Sequence, residues 1–252
     1  MCYLSWFVSM KLTAKNNYSI KKRIKRLITK YRGKYYGQNG EDIIVFNLLK
    51  ILKPISNVVY LDIGAGDPKF LSNTYLLYKM GAQGYCIDAN RRLYKKYKKI
   101  RPRDCFINYY MGKTDESVNF HIMSMKELST ANEESLNYLM GNGFKTLRID
   151  AVKAMDIRTL CVNFLSNIEV DFISIDVEGD EMEILTDIMH SPLSPSIICV
   201  EAVDFKTGYN SSDVYKIKQL MEENGFMLFM NTLVNLIFIK SDMLNANEVI
   251  YV

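Results

Sequence analysis

VVYLDIGAGD, at residues 58–67, is the stretch that decides the fold of this chain. An apolar run with β-branched residues ends at an acid and is followed by two alternating glycines, a pattern typical of a buried parallel strand that ends in a ligand-binding turn. Glycine lets the backbone approach a ligand, and the Asp62 carboxylate can accept hydrogen bonds from an ammonium or hydroxyl group. The dinucleotide pattern G-x-G-x-x-G is incomplete, because Lys69 stands where its third glycine would be. The turn therefore favours S-adenosylmethionine, which carries an amino acid and a sulfonium in place of a pyrophosphate.

Strand-like and helix-like segments alternate on both sides of this stretch. The predicted strands are 58–63, 84–88, 105–110, 170–177 and 196–200, followed by a hairpin of 226–230 and 233–240. The predicted helices are 41–52, 75–80, 93–99, 157–165, 182–189 and 214–224. Residues 118–149 have no clear long period, which indicates a hairpin-and-loop insertion. This order predicts an α/β fold with a doubly wound, mostly parallel sheet and an antiparallel hairpin at its C-terminal edge.

Polar side chains follow the predicted strands at their carboxyl ends, where ligands bind in sheets of this kind. They are Asp62, Asp88, Asn108, Asp176 and Glu201. Because the parallel strands end at one edge of the sheet, these groups are expected to lie close together.

Asp88 follows Asp62 by one strand-loop-helix-strand unit. An acid at the end of the second strand commonly binds both ribose hydroxyls of a nucleoside, and Asn90 is placed to assist it. The alternative is an acid that caps the next turn.

Three carboxylates, Asp176, Glu178 and Glu201, are predicted at adjacent strand ends. Acids this close share a proton, bind a cation or point apart into solvent. Glu178 or Asp176 could act as a general base on a hydroxyl group, and Asp176 with Glu201 could hold a divalent metal such as Mg²⁺ or Mn²⁺. The alternative, acids at a helix N-terminus, explains Asp180 and Glu181 better than it explains Asp176.

The charge of the 252-residue chain is unevenly distributed. Of its 32 basic residues, ten precede the first acid, Glu41, and the remaining 22 are outnumbered by the 28 acids. This basic arm could contact anionic lipid headgroups at the inner face of a membrane or a phosphorylated substrate, although a solvated extension is the simpler interpretation. A nucleic-acid partner is not expected, because no RNA-binding signature accompanies the arm.

The five cysteines are scattered and form no C-x-x-C pair, which predicts reduced thiols in a cytoplasmic protein. Cys86 and Cys199 lie in apolar, strand-like runs and are expected to be buried. The sequence leaves the formation of homo-oligomers open.

Taken in order, these motifs resemble the FkbM family of S-adenosylmethionine-dependent methyltransferases. The resemblance is carried by Gly37–Asp42, Tyr60–Ala65, Ser72–Thr74, Ile87–Asn90, Arg101–Asp104, Asn108 and Asp171–Gly179. The set runs from about residue 36 to residue 240, and its fixed order makes it far more specific than any single motif.

The resemblance implies a class I methyltransferase fold, Rossmann-like, in residues 36–252, preceded by a basic N-terminal extension, residues 1–35. It implies that the cofactor S-adenosylmethionine is bound by Gln38, Asp62, Gly64, Gly66, Ser72, Asn73, Thr74, Asp88, Ala89, Asn90 and Asn108. The activity implied is O-methylation of a sugar hydroxyl, in a sugar nucleotide or in a bacterial capsule or lipopolysaccharide glycan. Two alternatives are a partner subunit that binds S-adenosylmethionine without turnover and a methyltransferase of a polyketide or another small-molecule hydroxyl. A nucleotide-binding oxidoreductase is disfavoured by the missing glycine.

Overall fold

A computed structural model describes residues 35–112, 116–202 and 212–245 of the chain. The predicted basic extension lies outside these ranges except for its last residue, Tyr35. The described helices are α1 (Glu41–Leu52), α2 (Tyr75–Lys79), α3 (Tyr94–Ile100), α4 (Glu133–Gly141), α5 (Ile157–Phe164), α6 (Glu181–Met189), α7 (Ser212–Glu223) and α8 (Ser241–Asn245). The described strands are β1 (Val59–Ile63), β2 (Gln83–Ile87), β3 (Cys105–Ile107), β4 (Tyr110–Met111), β5 (Ser117–Met123), β6 (Thr146–Met155), β7 (Phe172–Ile175), β8 (Ile197–Glu201), β9 (Phe226–Asn231) and β10 (Asn235–Lys240).

Seven of these strands form one sheet in the order β3-β2-β1-β7-β8-β10-β9. The five strands from β3 to β8 pair in parallel, while β10 pairs antiparallel with both β8 and β9. This confirms the predicted doubly wound sheet with its antiparallel hairpin at the C-terminal edge. The order changes direction between β1 and β7, so their ends and the neighbouring ends of β2 and β8 border the crevice where such sheets bind ligands.

The sheet is covered by apolar side chains on both faces, as expected of parallel strands. On β1, Leu61 and Ile63 pack into one core cluster and Tyr60 into the other, because successive side chains of a strand point to opposite faces. Helix α1 buries Val45 and Leu49 against the second cluster, so it is held by an amphipathic stripe.

The predicted single strand at residues 105–110 is wrong in its second half. β3 ends at Ile107, and the chain resumes at Tyr110 as β4, in a separate three-stranded sheet of order β4-β6-β5. Asn108 explains the break, because its side-chain amide donates to the carbonyl oxygens of Asp88 (2.8 Å) and Ala89 (2.9 Å) and holds the chain against the β2 turn.

The segment predicted as a hairpin-and-loop insertion forms the antiparallel pair β5 and β6 with α4 between the two strands. Helix α4 was not predicted, although Asn132 caps it through a hydrogen bond from the Ser135 amide (3.0 Å). We call residues 117–155 the insertion.

Cys86 and Cys199 are buried within the sheet, as predicted, and both are free thiols. Burial raises the pKa of both thiols well above the ordinary value, so they remain protonated and pack as small apolar groups. Within the described part of the chain, no helix combines the length and apolar character needed to cross a bilayer.

Candidate active site

A cavity lies beyond the carboxyl ends of β1, β2, β7 and β8, at the crevice that the strand order creates. Its floor includes the predicted site residues Gln38, Gly64, Gly66, Asp88, Ala89, Asn90, Asp176, Glu178 and Glu201. The opposite wall comes from residues that sequence reasoning missed, namely Tyr109, Tyr110, Met111, Phe120, Met125, Lys126, Glu127, Leu128 and Ser129. Phe120 and the residues from Met125 to Ser129 belong to the insertion, which therefore forms part of the cavity lining. In the sequence, the insertion was distinguished only by its lack of a long hydrophobic period.

The two glycines of the β1 turn adopt left-handed backbone conformations, with φ of 78° at Gly64 and 53° at Gly66. The amides of Gly64 and Ala65 both donate to the carbonyl oxygen of Ile87 at 3.0 Å, which ties the turn to the end of β2. A Cβ atom at Gly64 would lie 1.6 Å from the carbonyl oxygen of Asp176, so only glycine permits the turn to pack against the β7 loop.

Asp88 faces the cavity from the end of β2. Its Oδ2 accepts from the Gly66 amide (2.9 Å) and its Oδ1 from the Asn90 amide (2.6 Å). Each carboxylate oxygen can accept a second hydrogen bond, so the group retains two acceptor positions for the hydroxyls of a ribose. Burial raises the pKa of Asp88 to about 6, although the two amides act in the opposite direction.

Cofactor affinity should consequently depend on pH. Below a pKa of about 6 the Asp88 carboxyl is protonated and loses acceptor capacity, so the affinity for S-adenosylhomocysteine should fall as the pH drops through 6 and stay level above it. The fall should approach about tenfold per pH unit. Calorimetric titration between pH 5 and 8 measures it, with Asp88→Asn as the matched variant. If Asp88→Asn binds S-adenosylhomocysteine weakly but its affinity still changes with pH as steeply as that of wild type, Asp88 is not the titrating group.

Five predicted cofactor residues do not line this cavity: Asp62, Ser72, Asn73, Thr74 and Asn108, the last of which lines a neighbouring one. Asp62 accepts a hydrogen bond from the Thr74 hydroxyl, and Asn73 donates to Ser174 (3.2 Å). All but Asn108 are buried. Their assignment to the cofactor stays a prediction. In this structure they support the floor of the cavity.

Arg101 connects several of these buried polar side chains. Its guanidinium, fully buried, donates to Asp104 (2.6 Å), Thr74 (2.9 Å) and Ser72 (3.3 Å). It also donates to the Tyr60 hydroxyl (3.0 Å), and the rings around it allow cation–π contacts. The sequence motif Arg101–Asp104 thus has a structural role under the β1 turn, which its spacing did not reveal.

The two acids of the motif Gly37–Asp42 are likewise buried. Glu41 and Asp42 are fully buried and accept hydrogen bonds from the amides of Asn39 and Tyr36, both at 2.7 Å. Glu41 also accepts from Thr232 (2.7 Å), at the turn between β9 and β10. These bonds fix the loop that carries Gln38, which lines the cavity.

Asp176, Glu178 and Glu201 come together as predicted, with one carboxylate oxygen from each lying within 4.8 Å of the others. Burial raises the pKa of Asp176 to about 7, against the lowering effect of a hydrogen bond with Glu201. Burial, followed by the charge of Asp176, also raises the pKa of Glu178 and Glu201 well above the ordinary value. We call these three residues the carboxylate triad.

The loop that carries Glu178 is fixed by the insertion. The Thr130 hydroxyl donates to the Glu178 carbonyl oxygen (3.0 Å), and the side-chain amide of Asn132 donates to the Asp180 carboxylate (2.7 Å). Tyr110 donates its hydroxyl to the other oxygen of Asp180. Glu178 has a φ of 62°, a left-handed conformation that an ordinary residue adopts only where its surroundings enforce it.

The strand order and the cavity together define a Rossmann-like α/β protein of the class I methyltransferase type. Residues 62–228 match the methyltransferase FkbM domain, and the chain therefore belongs to this family. A comparison with curated protein sequences found no match.

Three solved structures with a similar course of the chain share little sequence with it. A TehB-like SAM-dependent methyltransferase from Corynebacterium glutamicum shares 14% identity, with 88% of this chain and 96% of that one covered and a TM-score of 0.43. 1,6-Didemethyltoxoflavin-N1-methyltransferase from Burkholderia thailandensis, determined with bound 1,6-didemethyltoxoflavin and S-adenosylhomocysteine, shares 11% identity, with 92% of this chain and 91% of that one covered and a TM-score of 0.41. Precorrin-6y C5,15-methyltransferase from Geobacter metallireducens shares 13% identity, with 82% of this chain and 90% of that one covered and a TM-score of 0.39.

Proposed function

We propose that this protein is an S-adenosylmethionine-dependent O-methyltransferase that acts on a sugar hydroxyl, in a sugar nucleotide or in a bacterial surface glycan. One observation carries the proposal. The glycine turn and Asp88 border the same cavity as the carboxylate triad, so a nucleoside site and a cluster of proton acceptors share one space.

The charge of the cavity supports this cofactor over a dinucleotide. Six carboxylates line it, from Asp67, Asp88, Glu127 and the triad, against the two lysines Lys96 and Lys126. Lys96 is already paired with Asp67 at 2.9 Å. Burial raises the pKa of Asp88 and of the triad, so these acids are only partly ionised, but an acidic lining still favours the sulfonium and ammonium groups of S-adenosylmethionine over a pyrophosphate. This disfavours a nicotinamide-dependent oxidoreductase.

The reaction requires a hydroxyl oxygen to attack the methyl carbon in line with the carbon–sulfur bond. As the new C–O bond forms, the C–S electron pair returns to sulfur and leaves a neutral thioether, and the hydroxyl proton passes to a carboxylate. Asp176 is suited to receive it, because it is partly exposed to the cavity and lies at the end of β7 beside the glycine turn. A divalent cation held by Asp176 and Glu201 is the second way to lower the cost of removing this proton. Positioning of the two reactants supplies much of the remaining rate.

The choice of a sugar as acceptor rests on the polar part of the insertion wall, where Lys126, Glu127 and Ser129 can hydrogen-bond hydroxyl groups. A polyketide hydroxyl is the second candidate, since Met125 and Leu128 give the same wall apolar surface. We also propose that the protein works in the cytoplasm and that its basic arm meets phosphate groups, on the acceptor or at the inner face of the membrane.

Transfer of a labelled methyl group from S-adenosylmethionine to a panel of sugar nucleotides and glycans tests this function. Asp176→Asn should lower kcat by about 10²–10⁴ while leaving the affinity for S-adenosylhomocysteine within about threefold, because it removes a proton acceptor and preserves shape. Asp187→Asn, on α6 and outside the cavity, is the matched control.

Two outcomes would contradict the proposal. Full turnover by Asp176→Asn would remove the residue from the chemistry, and a folded protein that binds no S-adenosylhomocysteine would remove the cofactor. Cofactor binding without transfer to any acceptor would favour the partner subunit without turnover.

A further inference from the structure

The carboxylate triad contains a buried oxygen that the described protein does not satisfy. Glu178 is 8% exposed, and its Oε2 has no hydrogen-bond partner among the described residues. A buried polar atom without a partner destabilises the folded state, and more so when it is charged. Buried carboxylates in proteins are therefore paired with a cation or coordinate a metal.

No side chain of the described residues supplies that cation. Each carboxylate of the triad is surrounded chiefly by further acids, since Glu181 lies close to all three and Glu127 lies close to Glu178. The described ion pairs of lysine and arginine involve other acids, namely Asp67, Asp104, Asp150 and Asp171. The triad thus lies among further acids, and none of the described ion pairs includes one of its three carboxyl groups.

We propose that Asp176, Glu178 and Glu201 form a binding site for a divalent cation of the Mg²⁺ and Mn²⁺ class. A cation bound here would take part in the proposed methyl transfer, so the catalytic role of the site rests on the proposed function. Hard divalent cations bind carboxylate oxygens, and two ligands of one ion lie at most about twice the bond length apart. That limit is about 4.2 Å for Mg²⁺ and about 4.8 Å for Ca²⁺. The triad offers one oxygen from each residue within 4.8 Å of the others, and an ion of the Mg²⁺ or Mn²⁺ class would draw these oxygens closer together.

The backbone holds these ligands in place before an ion arrives. Glu201 is the last residue of β8, and Asp176 follows the last residue of β7, which pairs with β8 in parallel. Glu178 completes the site from a loop that Thr130 and the Asn132–Asp180 hydrogen bond fix from the insertion. The arrangement therefore combines two rigid strand ends with one enforced loop, which favours a preorganised site.

Three protein ligands leave about three positions of a six-coordinate ion free. Such positions would be available to an acceptor bound in the cavity, because the three carboxylates line the same cavity as the glycine turn and Asp88. The acceptor class that matches them carries a hydroxyl with a second oxygen on the adjacent carbon, as the vicinal hydroxyls of a sugar do.

Titration of the metal-free full chain with Mn²⁺, followed by calorimetry and by the electron paramagnetic resonance signal of free Mn²⁺, tests the site without any acceptor. We expect one saturable site that Mg²⁺ displaces. Glu178→Gln should weaken Mn²⁺ binding at least tenfold, because it keeps the shape of the side chain and removes its charge. Glu133→Gln, an exposed acid in the first turn of α4, should change it less than twofold. Glu201→Gln serves as a second variant if Glu178→Gln does not fold.

The proposal is overturned if the wild-type protein shows no saturable Mn²⁺ binding, or if the triad variants bind as tightly as wild type. Titration with S-adenosylhomocysteine in the absence of metal separates this result from the proposed function. Cofactor binding without Mn²⁺ binding would overturn the metal site alone, whereas Mn²⁺ binding without cofactor binding would overturn the methyltransferase.

Discussion

Replacement of Arg101 by methionine should destabilise the protein by about 3–5 kcal/mol, the usual cost of removing one partner of a buried ion pair. Arg101 is 0% exposed, and its Nε lies 2.6 Å from the Asp104 carboxylate, which is equally buried at its side chain. Methionine fills much of the same volume but donates no hydrogen bond. The Asp104 charge would then remain inside the protein, together with the hydroxyls of Tyr60 and Thr74 that the guanidinium now bonds.

Chemical denaturation measures this loss, and a double-mutant cycle with Asp104→Asn divides it between the pair and its surroundings. The double variant should recover part of the stability, since it removes the stranded charge. Arg91→Met is the control, because Arg91 is exposed, and it should change the free energy of unfolding by less than about 0.5 kcal/mol. A loss below about 1 kcal/mol for Arg101→Met would mean that the buried network contributes little.

Arg101 also illustrates where reasoning from the sequence stops. The motif Arg101–Asp104 was recognised by its resemblance to a family, and nothing in its spacing indicated a fully buried arginine. Charged residues are seldom buried, so a sequence interpretation assigns them to the surface by default. The contacts that overrule this default come from Tyr60, Ser72 and Thr74, which are distant in the chain.

The sheet was predictable because its signals are local. The apolar stripe of α1 and the apolar run of β1 each specify an element within a dozen residues, and short right-handed connections then restrict the order of the strands. The separate pairing of β4 with β6 was not predictable. It joins Tyr110 to Ala154 across the whole insertion, and no local pattern encodes such a contact.

The rule that ligands bind at the carboxyl ends of parallel strands predicts from the sequence which residues form the candidate site. Asp88, Asp176 and Glu201 follow three different strands, and a parallel sheet aligns their ends at one edge. The rule says which residues stand at that edge, but not which way each side chain turns. Asp62 follows the same rule, but its carboxylate accepts a hydrogen bond from Thr74 and does not line the cavity.

Alanine at Gly64 should cost far more stability than alanine at Gly66, although both glycines belong to one turn. Both have positive φ, 78° and 53°, so each substitution carries the cost of a left-handed backbone, about 1–2 kcal/mol. The space around them differs. A Cβ at Gly64 would lie 1.6 Å from the Asp176 carbonyl oxygen, whereas the nearest atom to a Cβ at Gly66 is 3.8 Å away.

Because the obstacle at Gly64 is backbone, it cannot rotate aside. The Gly64 amide donates to Ile87 (3.0 Å) and the Asp176 amide to Ile63 (2.9 Å), so separating the two loops disrupts bonds at the ends of β1, β2 and β7. We expect Gly64→Ala to lose more than about 4 kcal/mol and to lower the melting temperature by about 8 °C or more, while Gly66→Ala loses about 1–2 kcal/mol. Thermal and chemical denaturation of the two variants provide the measurement. Equal losses would show that the approach of the two loops is not what requires glycine here. The larger loss at Gly64 would mean that the turn bearing the nucleoside site and the loop bearing Asp176 are held as one unit.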